Sequence, residues 1–242
     1  MKSVLITGAR GFIGRNLAVH LKTRGGVRVL EFDVGQPDEE LRAHAATADI
    51  IFHLAGVNRP QVVEEFEKGN ARFTQQLCDL LRELGRAPRI VFSSSVQAAI
   101  DNPYGRSKAR AEEILRRFAA QSGAAVAIYR LKNVFGKWCR PNYNSVVATF
   151  CHNIARDLPI QVSDPEHSVD LVHVDDVVHD FVEQLDAPPA PGDVAMREDC
   201  IPSYCLTLGD LAGRIQFFRE MQHTLRVPFL RRAAALGVRA QR

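Results

Sequence analysis

At 242 residues, 46% of them hydrophobic and 24% charged, the chain is long enough for one α/β domain with a large core and has neither a disordered nor a fibrous composition. The formal net charge of +3 suits an anionic small ligand without demanding one. No dense Lys/Arg stripe interleaved with aromatics argues for nucleic acid, and no apolar run approaches the roughly 18 residues of a membrane span.

Strand and helix patterns alternate from the start. Val4–Thr7 is an apolar run ending in glycines, and Ile13, Leu17 and Leu21 then recur at helical spacing. Strands are expected at Val27–Phe32 and Asp49–Leu54, with Leu41 and Ala45 on a short helix between them. The spacing predicts a helix over 62–84 with Leu77, Leu80, Leu81 and Leu84 inward. A fourth strand at Arg89–Ser93, a helix at Tyr104–Gln121 and a fifth strand at Ala125–Arg130 follow. Such alternation implies a Rossmann-type doubly wound parallel sheet with right-handed crossovers. After Arg130 the texture turns irregular: 132–168 mixes aromatics, Asn and Pro around a helix near Val146–Arg156. Asp186–Asp193 is a Pro-rich break, and a last helix is expected from an N-cap at Thr207 to about Leu225.

Cys78, Cys139, Cys151, Cys200 and Cys205 are widely spread and form no Cys-x-x-Cys pair, so thiols in a reducing compartment are expected rather than disulfides or zinc. Met1-Lys2 runs straight into a strand pattern without a signal-peptide segment, which sets a cytoplasmic location as the expectation. His173-Val174-Asp175-Asp176 reads as a strand end followed by acids in a first helical turn, not as a metal site.

Gly8, Gly11 and Gly14 lie in a strand–turn–helix connection, where bare backbone can approach a pyrophosphate and a helix N-terminus stabilises its charge. Asp33 closes the second strand and would favour NADH through the ribose hydroxyls. Arg10, inside the loop, would instead pair with the 2′-phosphate of NADPH. The small residues of His53-Leu54-Ala55-Gly56 end the third strand. Ser93, Ser94 and Ser95 are followed by Tyr104 and Lys108, which share a helix face four residues apart. An ammonium beside the phenol is expected to lower its pKa toward neutrality, and a strand serine can polarise a reacting oxygen. Trp138 and Cys139 read equally well as substrate contacts or as packing.

In this order the motifs resemble the extended short-chain dehydrogenase/reductases of the NAD-dependent epimerase/dehydratase superfamily over about residues 1–185. Within it, the stretches 55–60, 101–105 and 135–151 resemble the bacterial capsule and O-antigen enzymes that make the UDP-N-acetyl-L-fucosamine precursor. The resemblance implies one reductase domain over 1–228, with a substrate lobe mainly from 132–168 and 187–228. It implies NADPH, with NADH as the alternative, held by Gly8, Arg10, Gly11, Phe12, Ile13, Gly14, Asp33, Leu54, Ala55, Gly56, Ser93 and Lys132. Tyr104 would be the proton donor, Lys108 its activator and Ser95 the carbonyl polariser. Asn58, Asn133, Arg140, Asn144, Ser145 and His173 would face a UDP-sugar. No metal is implied for this domain.

The implied reaction is reduction of the C4 ketone of a UDP-2-acetamido-2,6-dideoxy-4-hexulose, and a homodimer is admissible. A 4,6-dehydratase would need carboxylates beside the tyrosine, where Ser95-Val96-Gln97 has none. A UDP-sugar 4-epimerase and a catalytically impaired dinucleotide-binding protein remain as alternatives. Two departures stand out: Val169 replaces the usual Arg before Asp170, and the family's C-terminal cupin domain is missing. Its place is taken by a basic tail over 229–242, expected to be poorly ordered.

Overall fold

The computed structural model describes residues 1–187 and 189–224, so the expected tail lies outside the described residues. The elements run β1 (Lys2–Thr7), α1 (Phe12–Arg24), β2 (Val27–Phe32), α2 (Asp38–Thr47), β3 (Ile50–His53), α3 (Glu64–Phe66), a π-helical turn (Glu67–Arg72) and α4 (Phe73–Glu83). They continue with β4 (Arg89–Ser95), a 3₁₀ turn (Val96–Ala99), α5 (Pro103–Ser122), β5 (Val126–Leu131), β6 (Asn133–Phe135), α6 (Val146–Ile154), β7 (Ser168–His173), α7 (Val174–Glu183), β8 (Val194–Arg197), β9 (Tyr204–Thr207) and α8 (Leu208–Thr224).

Two compact units result, Met1–Leu131 with Val177–Glu198, and Lys132–Asp176 with the segment from Asp199. The first holds a six-stranded parallel sheet in the order β2-β1-β3-β4-β5-β8. This is the doubly wound sheet that the alternation implied. Val4, Leu5 and Ile6 in β1 and Ile51 and Phe52 in β3 are fully buried. Central parallel strands are covered on both faces, so they read as continuous apolar runs rather than alternating ones. The chain passes from β1 to β2 on one side and returns to β3 on the other, so the C-terminal end of β1 is the sheet's topological switch point, where such folds bind ligands.

The helix expected over 62–84 is interrupted. Leu77 and Leu81 are buried as expected, but Glu67–Arg72 winds as a π turn that brings Asn70 and Ala71 inward. Such local widenings of a helix are frequent at functional sites.

The second unit is a small mixed sheet in which β7 pairs with β6 in parallel and with β9 antiparallel. Phe150 of α6, Leu171 of β7 and Leu211 and Ala212 of α8 form its core, with Val169 packed against them. The stretch 132–168 is therefore less irregular than its composition suggests: β6 and α6 lie in it, and β7 begins at its end. Thr207 Oγ accepts from the Asp210 N–H at 3.1 Å and caps α8 as expected.

Candidate active site

The turn after β1 is built backbone against backbone. Gly8 sits at φ +72°, and a Cβ there would lie 2.7 Å from the Ala55 backbone. A Cβ on Gly14 would lie 2.2 Å from the Gly8 carbonyl oxygen. Only glycine permits either approach. Helix α1 then starts from Gly11 with no side-chain cap and no acid in its first turn. The first-turn N–H groups and the positive end of the helix dipole are thus left for an anion. The residues fit a dinucleotide's pyrophosphate on this observation. Beside the turn, the Arg10 N–H donates to Asp33 Oδ2 at 2.6 Å, and the Val34 N–H donates to Asp33 Oδ1 at 2.8 Å. Both oxygens of Asp33 therefore already accept backbone donors.

A buried hydrogen-bond chain links this turn to α5. The Ala55 N–H donates to Thr7 Oγ at 3.4 Å, and Thr7 Oγ lies 2.8 Å from His53 Nδ1. His53 Nε2 lies 2.9 Å from Thr74 Oγ, which donates to the Asn70 carbonyl at 2.8 Å. Because Thr74 spends its proton on Asn70, His53 must donate through Nε2 and accept through Nδ1. Burial, reinforced by the charge of Lys108, lowers the His53 pKa to about 3, so the ring stays neutral. Asn70 completes the chain: its carboxamide accepts from Val57 N–H at 2.9 Å and donates to Val57 O at 3.0 Å and Ser107 Oγ at 2.8 Å. His53 was singled out in the sequence only as part of a small-residue strand end, and Asn70, Thr74 and Ser107 were not singled out at all. The bonds that tie Thr74 to His53, Asn70 to Val57 and Asn70 to Ser107 span 13 to 37 residues, and no local spacing signals them.

Ser95, Tyr104 and Lys108 all belong to the first unit, with Tyr104 and Lys108 four residues apart on α5. Ser95 ends β4 in an extended conformation, and its hydroxyl accepts the Gln97 N–H at 3.2 Å, capping the 3₁₀ turn. Asn102 caps α5 through the Gly105 N–H at 2.7 Å, with Pro103 at the first helical position. A Cβ on Gly105 would lie 2.2 Å from the Gln97 carbonyl oxygen, so glycine lets α5 dock directly on the turn that follows Ser95. Ser95 is the polar side chain that acts on the Tyr104 hydroxyl, and the Tyr104 ring lies 5.5 Å from that of Phe66.

Lys108, 4% exposed, donates to the Ser93 carbonyl at 2.7 Å with its ammonium 4.7 Å from the Phe92 ring centroid. Burial lowers its pKa to about 8, against the opposing charge of Glu112. The Tyr104 pKa moves against expectation. Burial pushes it up, Ser95 only partly opposing, so the phenol here is a held acid rather than a near-neutral one. The cause is desolvation of the phenolate, which the i, i+4 spacing cannot reveal.

The remaining candidates fall in two places. Phe12, Ile13, Leu54, Ala55, Gly56 and Ser93 belong to the first unit with the turn and the triad. A Cβ on Gly56 would sit 2.7 Å from Asn70 Oδ1 and 3.4 Å from Lys108 Nζ. Asn58 is exposed beyond β3. Lys132, Asn133, Arg140, Asn144, Ser145 and His173 belong to the second unit. There the Lys132 ammonium is 2.7 Å from Asp199 and 3.2 Å from Ser203 Oγ, and hydrogen bonding to Asp199 raises its pKa. Asn133 donates to Asp170 O at 3.3 Å, and Ser145 Oγ accepts from the Ala148 N–H at 3.3 Å as the cap of α6. His173 Nδ1 accepts from the Asp175 N–H at 3.3 Å. Among the described residues, no three or more His, Cys, Asp or Glu side chains group as metal ligands would, and no helix is long and apolar enough to cross a membrane.

Comparison with known proteins places the fold. The chain is 47% identical over 226 residues to a UDP-2-acetamido-2,6-beta-L-arabino-hexul-4-ose reductase of Pseudomonas aeruginosa, a match covering 92% of this chain and 59% of that protein. The crystal structure of the capsular polysaccharide assembling protein CapF from Staphylococcus aureus superposes with a TM-score of 0.82 at 39% identity, covering 94% of this chain and 61% of that one. The chain thus spans about three fifths of the length of these relatives. A UDP-glucuronic acid 4-epimerase from Bacillus cereus in complex with NAD, 17% identical, shares the fold with a TM-score of 0.76 over 90% of this chain and 84% of its own. Residues 4–194 match the NAD dependent epimerase/dehydratase family, and the chain belongs to that family.

Proposed function

We propose that this chain reduces the C4 ketone of a UDP-2-acetamido-2,6-dideoxy-4-hexulose with NADPH, in the making of a capsule or O-antigen sugar. The observation that carries the reading is that Ser95 acts on the Tyr104 hydroxyl while buried Lys108 lies four residues on along the same helix, in the same unit as the glycine turn. The name of the reductase relative from Pseudomonas aeruginosa supplies the substrate class.

When bound, the reduced dinucleotide supplies the hydride that a ketone carbon accepts. The chain's own residues do the rest. Burial keeps the Tyr104 phenol protonated at neutral pH, so it can give its proton to the ketone oxygen. The Ser95 hydroxyl, fixed by the 3₁₀ turn, polarises that oxygen. The Lys108 ammonium, held on Ser93 O, supplies fixed positive charge beside the phenol as it loses its proton. Gly8, Gly11 and Gly14 hold the pyrophosphate against α1, with Phe12, Ile13, Leu54, Ala55, Gly56, Ser93 and Lys132 as further cofactor contacts. Asn58, Asn133, Arg140, Asn144, Ser145 and His173 face the UDP-sugar in this reading. Arg10 supports NADPH, because a guanidinium at the turn can pair with a 2′-phosphate.

The test is to mix the purified chain with NADPH and the 4-keto UDP-sugar and follow nicotinamide absorbance. Oxidation that depends on both enzyme and ketone supports the reading. Tight cofactor retention with interconversion of C4 epimers and no net NADPH oxidation would replace it with an epimerase.

A further inference from the structure

The connection from β6 to α6 holds the chain's one tryptophan in a conformation that needs explaining. Gly136 leaves β6 at φ +140°, where a Cβ would meet Val174 Cγ1 at 2.6 Å. The Cys139 N–H donates to the Gly136 carbonyl at 3.2 Å, closing a four-residue turn with Trp138 at its third position. Trp138 has φ +67°. Turns that need positive φ there take Gly or Asn, because a Cβ crowds the following carbonyl. A bulky aromatic in that region is a genuine outlier.

Burial does not account for it, since Trp138 is 43% exposed. The turn is nonetheless fixed from both sides. Lys137 pairs with Asp175 at 2.6 Å. The Asn142 N–H donates to Thr149 Oγ at 3.0 Å, and Thr149 Oγ donates to Ser145 O at 2.8 Å. Two residues beyond the indole, the exposed Arg140 guanidinium lies 5.4 Å from the Tyr143 ring centroid. A pinned, strained turn therefore presents an aromatic plate and, two residues on, a cation. Strain held by its surroundings at a solvent-facing group is the mark of a preorganised recognition element. An aromatic face with a neighbouring guanidinium matches a base joined to an anion.

We propose that Trp138 is the stacking plate for the uracil ring of the nucleotide sugar, with Arg140 meeting its diphosphate. This rests on the UDP-sugar reading above and adds a specificity-determining residue to it.

Because Trp138 is the only tryptophan in the chain, indole emission reports on it alone. The experiment titrates the full chain with UDP, following emission and, in parallel, heat by calorimetry. A saturable emission change with the calorimetric Kd is expected. Trp138→Gly removes the ring and relieves the positive φ, so it should keep or raise Tm while weakening UDP about 5- to 100-fold, the span of base–aromatic stacking. Trp138→Phe should recover most of the affinity, and NADPH binding should be unchanged in both. UDP binding by heat with unchanged emission, and with unchanged Kd in Trp138→Gly, would overturn the assignment and leave the UDP-sugar reading standing. A response to the UDP-sugar but not to UDP would place the indole on the sugar and overturn the base assignment. No binding of either to the native chain would overturn both readings. A lower Tm in Trp138→Gly with unchanged UDP affinity would make Trp138 a packing residue.

Discussion

Asn70 donates to Ser107 Oγ at 2.8 Å, and Ser107 Oγ donates to the Tyr104 carbonyl at 2.7 Å, so the π turn holds the first turn of the helix that carries the phenol. Asn70→Leu should strand the Val57 N–H and carbonyl and take from the Ser107 hydroxyl the bond it accepts. A loss of about 2–4 kcal/mol is expected from such buried unpaired groups. Thermal denaturation should show Tm lower by roughly 5–15 °C for a chain of this size. An unchanged Tm would mean that the network carries no stability.

Tyr104→Phe keeps the ring against Phe66 and deletes the acid. Turnover should fall on the order of 10²–10⁴-fold, the range for general acid–base groups, with the cofactor Kd within about twofold. Steady-state kinetics and a cofactor titration check this together. Retained turnover would move the proton donor elsewhere.

Lys108 gives a pH signature with a definite sign. Folding lowers its pKa from the ordinary 10.5 to about 8, so between those values the unfolded chain binds more protons than the folded one. Its contribution to stability therefore rises as pH climbs from about 8 to about 10.5. The buried ammonium costs on the order of 3 kcal/mol at pH 7, at about 1.4 kcal/mol per pKa unit. Lys108→Met should remove that rise from urea-denaturation profiles while lowering turnover and cofactor affinity. In the native chain, reductase kcat/KM should decline above about pH 8 as the ammonium is lost. A profile flat to pH 10 would contradict this role.

The two glycines at the head of α1 should separate fold from binding. Gly14→Ala forces a Cβ to within 2.2 Å of a backbone oxygen and should cost about 3 kcal/mol. Gly11, whose Cβ would lie 3.1 Å from Gly8 O, is the milder site for folding. Gly11→Val should leave most of the Tm and weaken the dinucleotide at least about tenfold, because the branched side chain occupies phosphate space. Equal Tm losses in the two variants would show that the second is not a binding probe.

Asp33 holds the Arg10 and Val34 N–H groups. Asp33→Ala should shift the ratio of NADPH to NADH affinity toward NADPH, by removing negative charge near a 2′-phosphate. Parallel titrations decide it, and a shift toward NADH would reverse the cofactor preference proposed above.

What the sequence made legible and what it hid divide on physical grounds. The glycine turn and the Tyr104–Lys108 spacing could be read because each is a local pattern with a local cause. Asn70, Thr74 and Gly105 could not, since each meets backbone or side chains that only the fold brings near. Strands β8 and β9 are four residues each, too short for a period to show, and β8 follows a Pro-rich break. The π turn lies within an otherwise helical pattern and leaves no periodic trace over so few residues. The upward shift of the Tyr104 pKa depends on how much of α5 is covered, which spacing does not encode.

The placement of β8 sets an order on the making of this protein. Its strand pairs with β5 along Val126–Tyr129, yet Arg197 leaves the ribosome 66 residues after Leu131. At about 5–20 residues per second that interval is on the order of 3–13 s. Throughout it, one edge of an apolar central strand has no strand partner, which is the condition under which nascent chains pair with each other. The nascent chain is therefore most exposed to aggregation while the second unit's first segment is being synthesised, and slowing translation there would prolong its need for a chaperone.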